Sequence, residues 1–385
     1  MTDISRVKDL LTTLVSFDTE TSKSNLPLID WVAGELWRAG VDFVLAPNAA
    51  GDKAALYASI GPKIDGGIVL SGHTDVVPVK GQNWTTDPFE LREDNGRLYG
   101  RGACDMKGFV AVCLALVPVM KAAALKRPIH ILLSYDEETT CLGPMDIIAR
   151  FGQDLPVPAA VIVGEPTNMD VATAQKSIAT YRTRVHGHEA HSAKPDLGAN
   201  AIPFACELVN ALYAFQDELA KTGDSSGRFD PAMSTLSVGT IEGGTARNIL
   251  ARECTFLWEF RGLPGAHQRV AYDHFLQVCE KLTPRLKQHA PGAFIDTEIE
   301  VEIPGLDAQS GSLAETLALK LAKRNHTIAV PYATEAGRFQ NAGIATVVCG
   351  PGSINQAHQP DEYIEISELE AGLRFVQGLI MELSV

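Results

Sequence analysis

The sequence predicts an α/β fold: a mostly parallel mixed sheet flanked by helices, interrupted by an inserted α+β domain. Three observations carry this. Short runs that are apolar throughout alternate with helical periodicity up to about residue 176, an alternating half-buried pattern takes over from Ser177, and the first texture returns after Pro304. Strands apolar on both faces belong in a sheet covered on both sides, whereas alternation marks a sheet with one packed face. The chain has 385 residues, beyond the ~250–300 at which one core stops growing. The expected boundaries are 1–176 and 304–385 for a discontinuous first domain, and 177–303 for the insertion.

The elements follow in order. Val7, Leu10, Leu11, Leu14 and Val15 recur at helical spacing and mark one helix, and residues 28–37 mark another. Strand candidates lie at 55–60, 67–71, 129–135 and 159–163, most of them bounded by Gly or Pro. The longest apolar run, Phe109 to Met120, is 12 residues and contains Pro118; a membrane span needs ~20, so it reads as a buried helix. The insertion reads as strand 180–185, helix 200–219, strands 234–241 and 253–261, helix 269–282 and strand 297–303, a β-α-β-β-α-β order. A helix at 313–324, a strand at 345–349 and a helix at 366–383 complete the first domain. Functional groups are expected beyond the C-terminal ends of its parallel strands.

Hydrophobic residues at 45% and charged residues at 21% fit an ordinary globular protein and exclude a disordered chain. The net charge of −14 opposes binding to phosphate backbones and anionic lipid, so neither nucleic acid nor membrane is an expected partner. The first fourteen residues lack the basic and continuous apolar regions of a secretory signal. Seven cysteines without a C-x-x-C pair suit reduced thiols, and a cytoplasmic location is expected.

Five segments place metal-type ligands at or near the ends of predicted elements. In Ser71-Gly72-His73-Thr74-Asp75, residues i and i+2 point the same way in extended chain. The Asp75 carboxylate can therefore accept from one imidazole nitrogen of His73 while the other faces a metal; an ordinary hydrogen-bonded His in a turn fits the same pattern. Gly100-Arg101-Gly102-Ala103-Cys104-Asp105 runs into the apolar helix, and Asp105 also reads as a helix N-cap. Cys104 as a nucleophile lacks an evident His partner. In Tyr135-Asp136-Glu137-Glu138, adjacent carboxylates face opposite ways, so one can bind metal while the other carries protons; a solvated acidic turn is the alternative. Gly164-Glu165-Pro166 and Gln356-Ala357-His358-Gln359-Pro360 complete the set.

Together His73, Asp105, Glu138, Glu165 and His358 supply four terminal ligands and one bridging carboxylate, which suits two divalent ions ~3.5–4 Å apart. Imidazole and carboxylate without thiolate point to Zn, with Co or Mn as substitutes. Glu137 then remains as general base. In the insertion, His186-Gly187-His188-Glu189-Ala190-His191 lacks the H-E-x-x-H spacing, and no dinucleotide, P-loop or nucleophile-elbow motif occurs.

These segments resemble the co-catalytic dizinc amidohydrolase and exopeptidase family, M20. The resemblance spans nearly the whole chain: S-G-H-T-D-V-V-P-V, G-R-G-A-C-D-M-K-G, Y-D-E-E-T, G-E-P-T, A-H-S-A-K-P-D-L-G-A-N-A-I and G-P-G-S-I-N-Q-A-H-Q-P-D-E-Y, in the family's order. It implies a dizinc exopeptidase-like fold with Asp105 bridging, His73 and Glu165 completing one site, and Glu138 and His358 the other. Glu137 is implied as base and Asp75 as the orienter of His73. The insertion becomes a lid through which a homodimer forms, with His191 reaching the partner subunit's active site to stabilise an oxyanion.

Asn248 and Arg261 match lid positions associated with substrate binding, Arg261 by a bidentate pair to an α-carboxylate; a structural salt bridge is the alternative for Arg261. Within the family, residues 102–108, 334–340 and 349–353 look most similar to acetylornithine deacetylases. The implied reaction is hydrolysis of N2-acetyl-L-ornithine to acetate and L-ornithine, in arginine biosynthesis. Glu335, or the loop Gly350 to Ser353, is expected near the substrate's ammonium. A related deacylase, such as a succinyl-diaminopimelate desuccinylase or a general aminoacylase, is the alternative.

Overall fold

The computed structural model describes residues 4–265 and 269–384. The chain divides into two compact units. One runs to Ala174 and resumes over Asp307–Ala329 and from Thr334; the other is Gln175–Leu306 with Val330–Ala333.

In the first unit the helix Ile4–Ser16 buries Val7, Leu10, Leu11, Leu14 and Val15, one stripe of its surface. The helix Leu26–Arg38 buries Leu28, Ile29, Val32 and Leu36 in the same core. The sheet runs Asp42–Pro47, Ala54–Ile60, Ile129–Ser134, Ile68–His73, Ala160–Pro166, Ala345–Gly350, Val171–Gln175 and Leu306–Asp307, with Thr327–Val330 beside Val171–Gln175. It is parallel at its centre and antiparallel towards its edges. Ile68–His73 has a parallel neighbour on each side, with His73 opposite Ser134 and Ser71 opposite Val163. Ala345–Gly350 lies parallel to Ala160–Pro166, with Gly350 opposite Pro166. Every residue of the three central strands is buried, which explains their unbroken apolar character.

This topology positions the site. After Ile68–His73 the chain goes first to the neighbour on one side, Ile129–Ser134, and later to the one on the other, Ala160–Pro166. The connections diverge from the C-terminal ends of these strands, where α/β sheets open a crevice. Close packing fixes the strand ends. A Cβ on Gly164 would lie 2.1 Å from Phe109 Cδ1, and one on Gly350 would lie 2.0 Å from the Gly164 carbonyl oxygen, so neither position has room for a side chain.

The helical stretch Ala103–Ala122, with mean hydropathy 1.8, is long and apolar enough to cross a membrane, but 89% of its most apolar window is buried inside the protein. Its two helices, Gly108–Ala115 and Val117–Ala122, lie in the core of this unit.

The second unit is an antiparallel sheet in the order Thr235–Gly243, Glu253–Gly262, Ser177–His186, Phe294–Ile303. Burial alternates residue by residue along Ser177–His186 and Glu253–Gly262, as one packed face requires. The core of that face is aromatic: Tyr181 stacks on Trp258 at 4.1 Å, and Trp258 meets Phe275 of the helix Val270–His289 at 4.9 Å. The helix Ala201–Ala220 adds Phe204, Leu208 and Leu212, and its N-cap Asn200 accepts from the Ile202 N–H.

Candidate metal centre

Loops leaving the parallel strands bring the predicted side chains of the first unit together. His73 ends its strand, Glu137 and Glu138 follow Ile129–Ser134, and Glu165 lies near the end of Ala160–Pro166. His358 arrives on the loop after Ala345–Gly350, and Asp105 sits in a tight turn, Ala103–Lys107, ahead of the helix Gly108–Ala115. Asp105 is not a helix cap: its φ of −121° and ψ of 93° are extended, and its carboxylate faces both histidines. Oδ1 lies 3.1 Å from His73 Nε2, and Oδ2 lies 3.3 Å from His358 Nε2. His358 Nε2 is also 2.9 Å from Glu138 Oε2, and His73 Nε2 is 3.7 Å from Glu165 Oε1. Donor atoms of His73, Glu137 and Glu165, and of His73, Asp105 and Glu138, each fall within 4.8 Å of one another.

The expected role of Asp75 needs correction. His73 Nδ1 donates to the backbone carbonyl of Asp75 at 2.8 Å, while the carboxylate stands 3.7 Å away. That carboxylate instead accepts the backbone N–H groups of Glu137, at 3.3 Å, and Glu138, at 3.2 Å. The i, i+2 geometry foreseen for two side chains is met by a side chain and a carbonyl, and the carboxylate orients the acidic turn.

Electrostatically the cluster is starved of positive charge. Burial, reinforced by neighbouring carboxylates and opposed by His73, pushes the Glu137 and Glu165 carboxyls well above the usual carboxylate range, and Glu138 up to about 7. Burial works in the same direction on Asp105, but its hydrogen bonds with His358 and His73 outweigh it and hold the group below its ordinary value. Bonds to Asp105 and Glu138 hold His358 up at about 10. Burial would lower His73, yet Asp105 and the surrounding acids keep it raised.

The residues fit divalent cations. Glu165 Oε1 is buried without a hydrogen-bond partner, and the donors mix imidazole with carboxylate and include no thiolate. Cys104 is no nucleophile: burial drives its thiol pKa well up, and its Sγ donates to the Ser353 carbonyl.

Glu335 is corrected too. It is 1% exposed and accepts the hydroxyls of Ser71 at 2.5 Å and Ser134 at 2.6 Å, so it braces two strand ends and is not open to a substrate's ammonium. The remaining candidates lie in the second unit. His191 is exposed, its Nδ1 accepts the Ala193 N–H at 3.0 Å, and its backbone bridges Ile249. Asn248 is its neighbour, taking the Ser192 N–H on its carbonyl at 3.0 Å. Arg261 pairs with Glu259 on its own strand, through Nε at 3.0 Å and Nη2 at 3.3 Å, which is the salt-bridge geometry.

Sequence reasoning missed Gln82, Arg101 and Glu362, a hydrogen-bonded group behind the ligand loops. Arg101 and Glu362 stand inside motifs that the sequence displays, but Glu362 meets its partners across 257 to 261 residues, and no local pattern signals that.

The model of peptidase family M20/M25/M40 matches residues 69–382. The chain is 35% identical to an acetylornithine deacetylase of Yersinia pseudotuberculosis over 370 residues, 94% of this chain and 92% of that one. Among solved structures it is similar to aminopeptidase PepT of Bacillus cereus, with TM-score 0.78 at 20% identity, covering 100% of this chain and 99% of that one. It is also similar to the YXEP protein of Bacillus subtilis, described as a dinuclear metal binding peptidase, with TM-score 0.67 at 14% identity over 99% and 98% of the two chains. The chain therefore belongs to peptidase family M20/M25/M40, as a metal-dependent amidohydrolase.

Proposed function

We propose that the protein hydrolyses the acetyl amide of N2-acetyl-L-ornithine to acetate and L-ornithine, as a step of arginine biosynthesis in the cytoplasm. The observation that carries the chemistry is the Asp105 carboxylate, which offers one oxygen towards His73 and the other towards His358 with Glu137 beside them. The substrate is supported by the extent of the likeness to acetylornithine deacetylase, which runs through both units of the chain.

His73, Asp105, Glu138, Glu165 and His358 would hold two divalent ions, Zn with Co or Mn as substitutes, with Asp105 between them. Such ions supply Lewis-acid polarisation of the acyl carbonyl and acidify water. Glu137 acts as the proton carrier, taking a proton from the attacking water and delivering it to the departing α-amine as the amide bond breaks. Its carboxyl is placed for this beside His73 and Glu165, whose donor atoms lie within 4.8 Å of its own. The Asp75 carboxylate holds the Glu137 and Glu138 backbone so that neighbouring acids serve different ends. His191, from the second unit, stabilises the oxyanion in the partner subunit's active site, with Asn248 binding substrate; Arg261 would join it only by giving up its pair with Glu259.

A homodimer through the second unit is supported by the edge strand Thr235–Gly243, which pairs with Glu253–Gly262 on one side and whose residues from Gly239 to Gly243 are all exposed. Tyr213 at 41% and Ile241 at 49% exposure add apolar surface to that unit. Light scattering after size exclusion should give twice the chain mass.

The deciding assay compares acetate release from N2-acetyl-L-ornithine with succinate release from N-succinyl-diaminopimelate and with a panel of N-acetyl amino acids, with and without chelator. The proposal expects kcat/KM for acetylornithine to exceed the others by about a hundredfold, and chelation to abolish it; ~2.7 kcal/mol of discrimination would do this. A preference for the succinyl substrate, or equal rates across the panel, points to a related deacylase instead.

A further inference from the structure

The Glu362 carboxylate is 1% exposed and accepts four hydrogen bonds. Oε1 takes the backbone N–H groups of Cys104 at 2.9 Å and Asp105 at 3.0 Å; Oε2 takes the Gly102 N–H at 3.0 Å and Arg101 Nη1 at 2.7 Å. Three backbone donors from one turn converging on a single carboxylate form a compact anion cradle, and here the anion is a side chain from the far end of the chain. Glu362 thereby sets the backbone at Asp105, the residue whose two oxygens must face His73 and His358 at once.

The same group reaches His358. Arg101, also 1% exposed, donates from Nη1 to the Gln359 carbonyl at 3.4 Å and from Nη2 to Gln82 Oε1. Gln82 Nε2 donates in turn to the His358 carbonyl at 2.8 Å. His358 has φ +63°, a conformation that residues with side chains seldom adopt. The side chain is 53% exposed, so apart from its contacts with Asp105 and Glu138 it has little packing around it, and the bond to its carbonyl fixes the backbone from which the ring extends.

We propose that Glu362 is a positioning residue for the metal centre: with Arg101 and Gln82 it locks the Asp105 turn to the His358 loop, so that two ligands 253 residues apart present themselves to the same pair of ions. This rests on the reading of the site as a place for divalent ions, and not on the identity of the substrate. Glu362→Gln keeps the shape but turns an N–H₂ towards N–H and guanidinium donors, so the bonds on one carboxylate oxygen are lost.

The test uses the purified full chain as parent, Glu362→Gln and Gln82→Ala. Zn²⁺ affinity is measured by competition with a chromogenic chelator, the absorption spectrum of the Co²⁺-loaded protein is recorded, and each chelator-treated protein is melted. The expected result is Zn²⁺ binding weakened about 10–100-fold in Glu362→Gln, an altered Co²⁺ spectrum, and a cooperative melt. Gln82→Ala should weaken binding about tenfold, at the site that contains His358. A purely architectural role would lower the melting temperature and leave affinity and spectrum unchanged; parent affinity and spectrum in folded Glu362→Gln overturn the proposal. If Glu362→Gln does not fold, Gln82→Ala decides by the same criteria. A parent that binds no Zn²⁺ would refute the metal reading itself, an outcome distinct from a parent and variant that bind it equally.

Discussion

Replacing Glu335 separates a structural brace from a substrate contact. Its carboxylate is buried and takes two short hydrogen bonds, from Ser71 and Ser134, on the neighbouring strands Ile68–His73 and Ile129–Ser134. Glu335→Ala removes both acceptors at once. A buried donor left without a partner costs about 1–3 kcal/mol, so two hydroxyls cost roughly 2–6 kcal/mol, less whatever they recover by turning to backbone carbonyls. Taking about 4 kcal/mol, and about 2–4 °C of melting temperature per kcal/mol for a unit of this size, the first unit should melt roughly 8–16 °C lower. Glu335→Gln keeps one acceptor and should show about half that loss. The assay is calorimetry on chelator-treated protein, so that ion binding does not mask the change, together with kcat and KM on the loaded enzyme. The brace predicts a large fall in melting temperature with KM within about threefold of the parent. An unchanged melting temperature with a tenfold rise in KM would show that Glu335 contacts the substrate after all.

Three further predictions concern burial, packing and ions. Burial of His130 holds its ring at a pKa of about 4, against an ordinary 6.5. Between those values the unfolded chain binds a proton that the folded chain does not, so stability should fall as pH drops from 6.5 towards 4, by up to about 3 kcal/mol. Denaturant titrations of His130→Asn across that window should lack this slope, and parallel curves for parent and variant would contradict it. Gly164→Ala should destabilise the first unit by about 1–3 kcal/mol, because the new methyl group would overlap Phe109; an unaltered denaturation midpoint would refute the packing argument. Adding Zn²⁺ to chelated protein at neutral pH should release protons, since the empty cluster keeps Glu138 near 7 and both histidines raised, and apparent affinity should rise with pH. Calorimetric heats independent of the buffer's ionisation enthalpy would contradict this.

What the sequence made legible, and what it did not, follows from how far each residue's partners lie along the chain. The central strands are readable because burial on both faces leaves unbroken runs such as Ile131-Leu132-Leu133. Asp42–Pro47 was missed: it is an edge strand, mostly exposed or half-buried, and its strand character comes from pairing with Ala54–Ile60. The short strands Arg92–Asp94, Arg97–Tyr99 and Tyr363–Glu365 form a separate sheet whose third member comes from the other end of the chain. The helix expected to stop at Leu282 runs to His289 through Pro284, because burying Leu286 outweighs one lost backbone hydrogen bond. Ligand types at strand ends were visible as motifs. The roles of Asp75 and Glu335 were not, because a backbone carbonyl and two serine hydroxyls are partners that spacing does not single out.

The assigned chemistry requires Glu137 to carry protons beside ions that five other side chains hold. Glu137→Gln, metal content by mass spectrometry and kcat on N2-acetyl-L-ornithine test it together. If Glu137 is the base, the variant should hold two ions per chain, as in the parent, with kcat lower by about 10²–10⁴-fold. Near-parent turnover, or loss of an ion, would place Glu137 outside the role assigned to it.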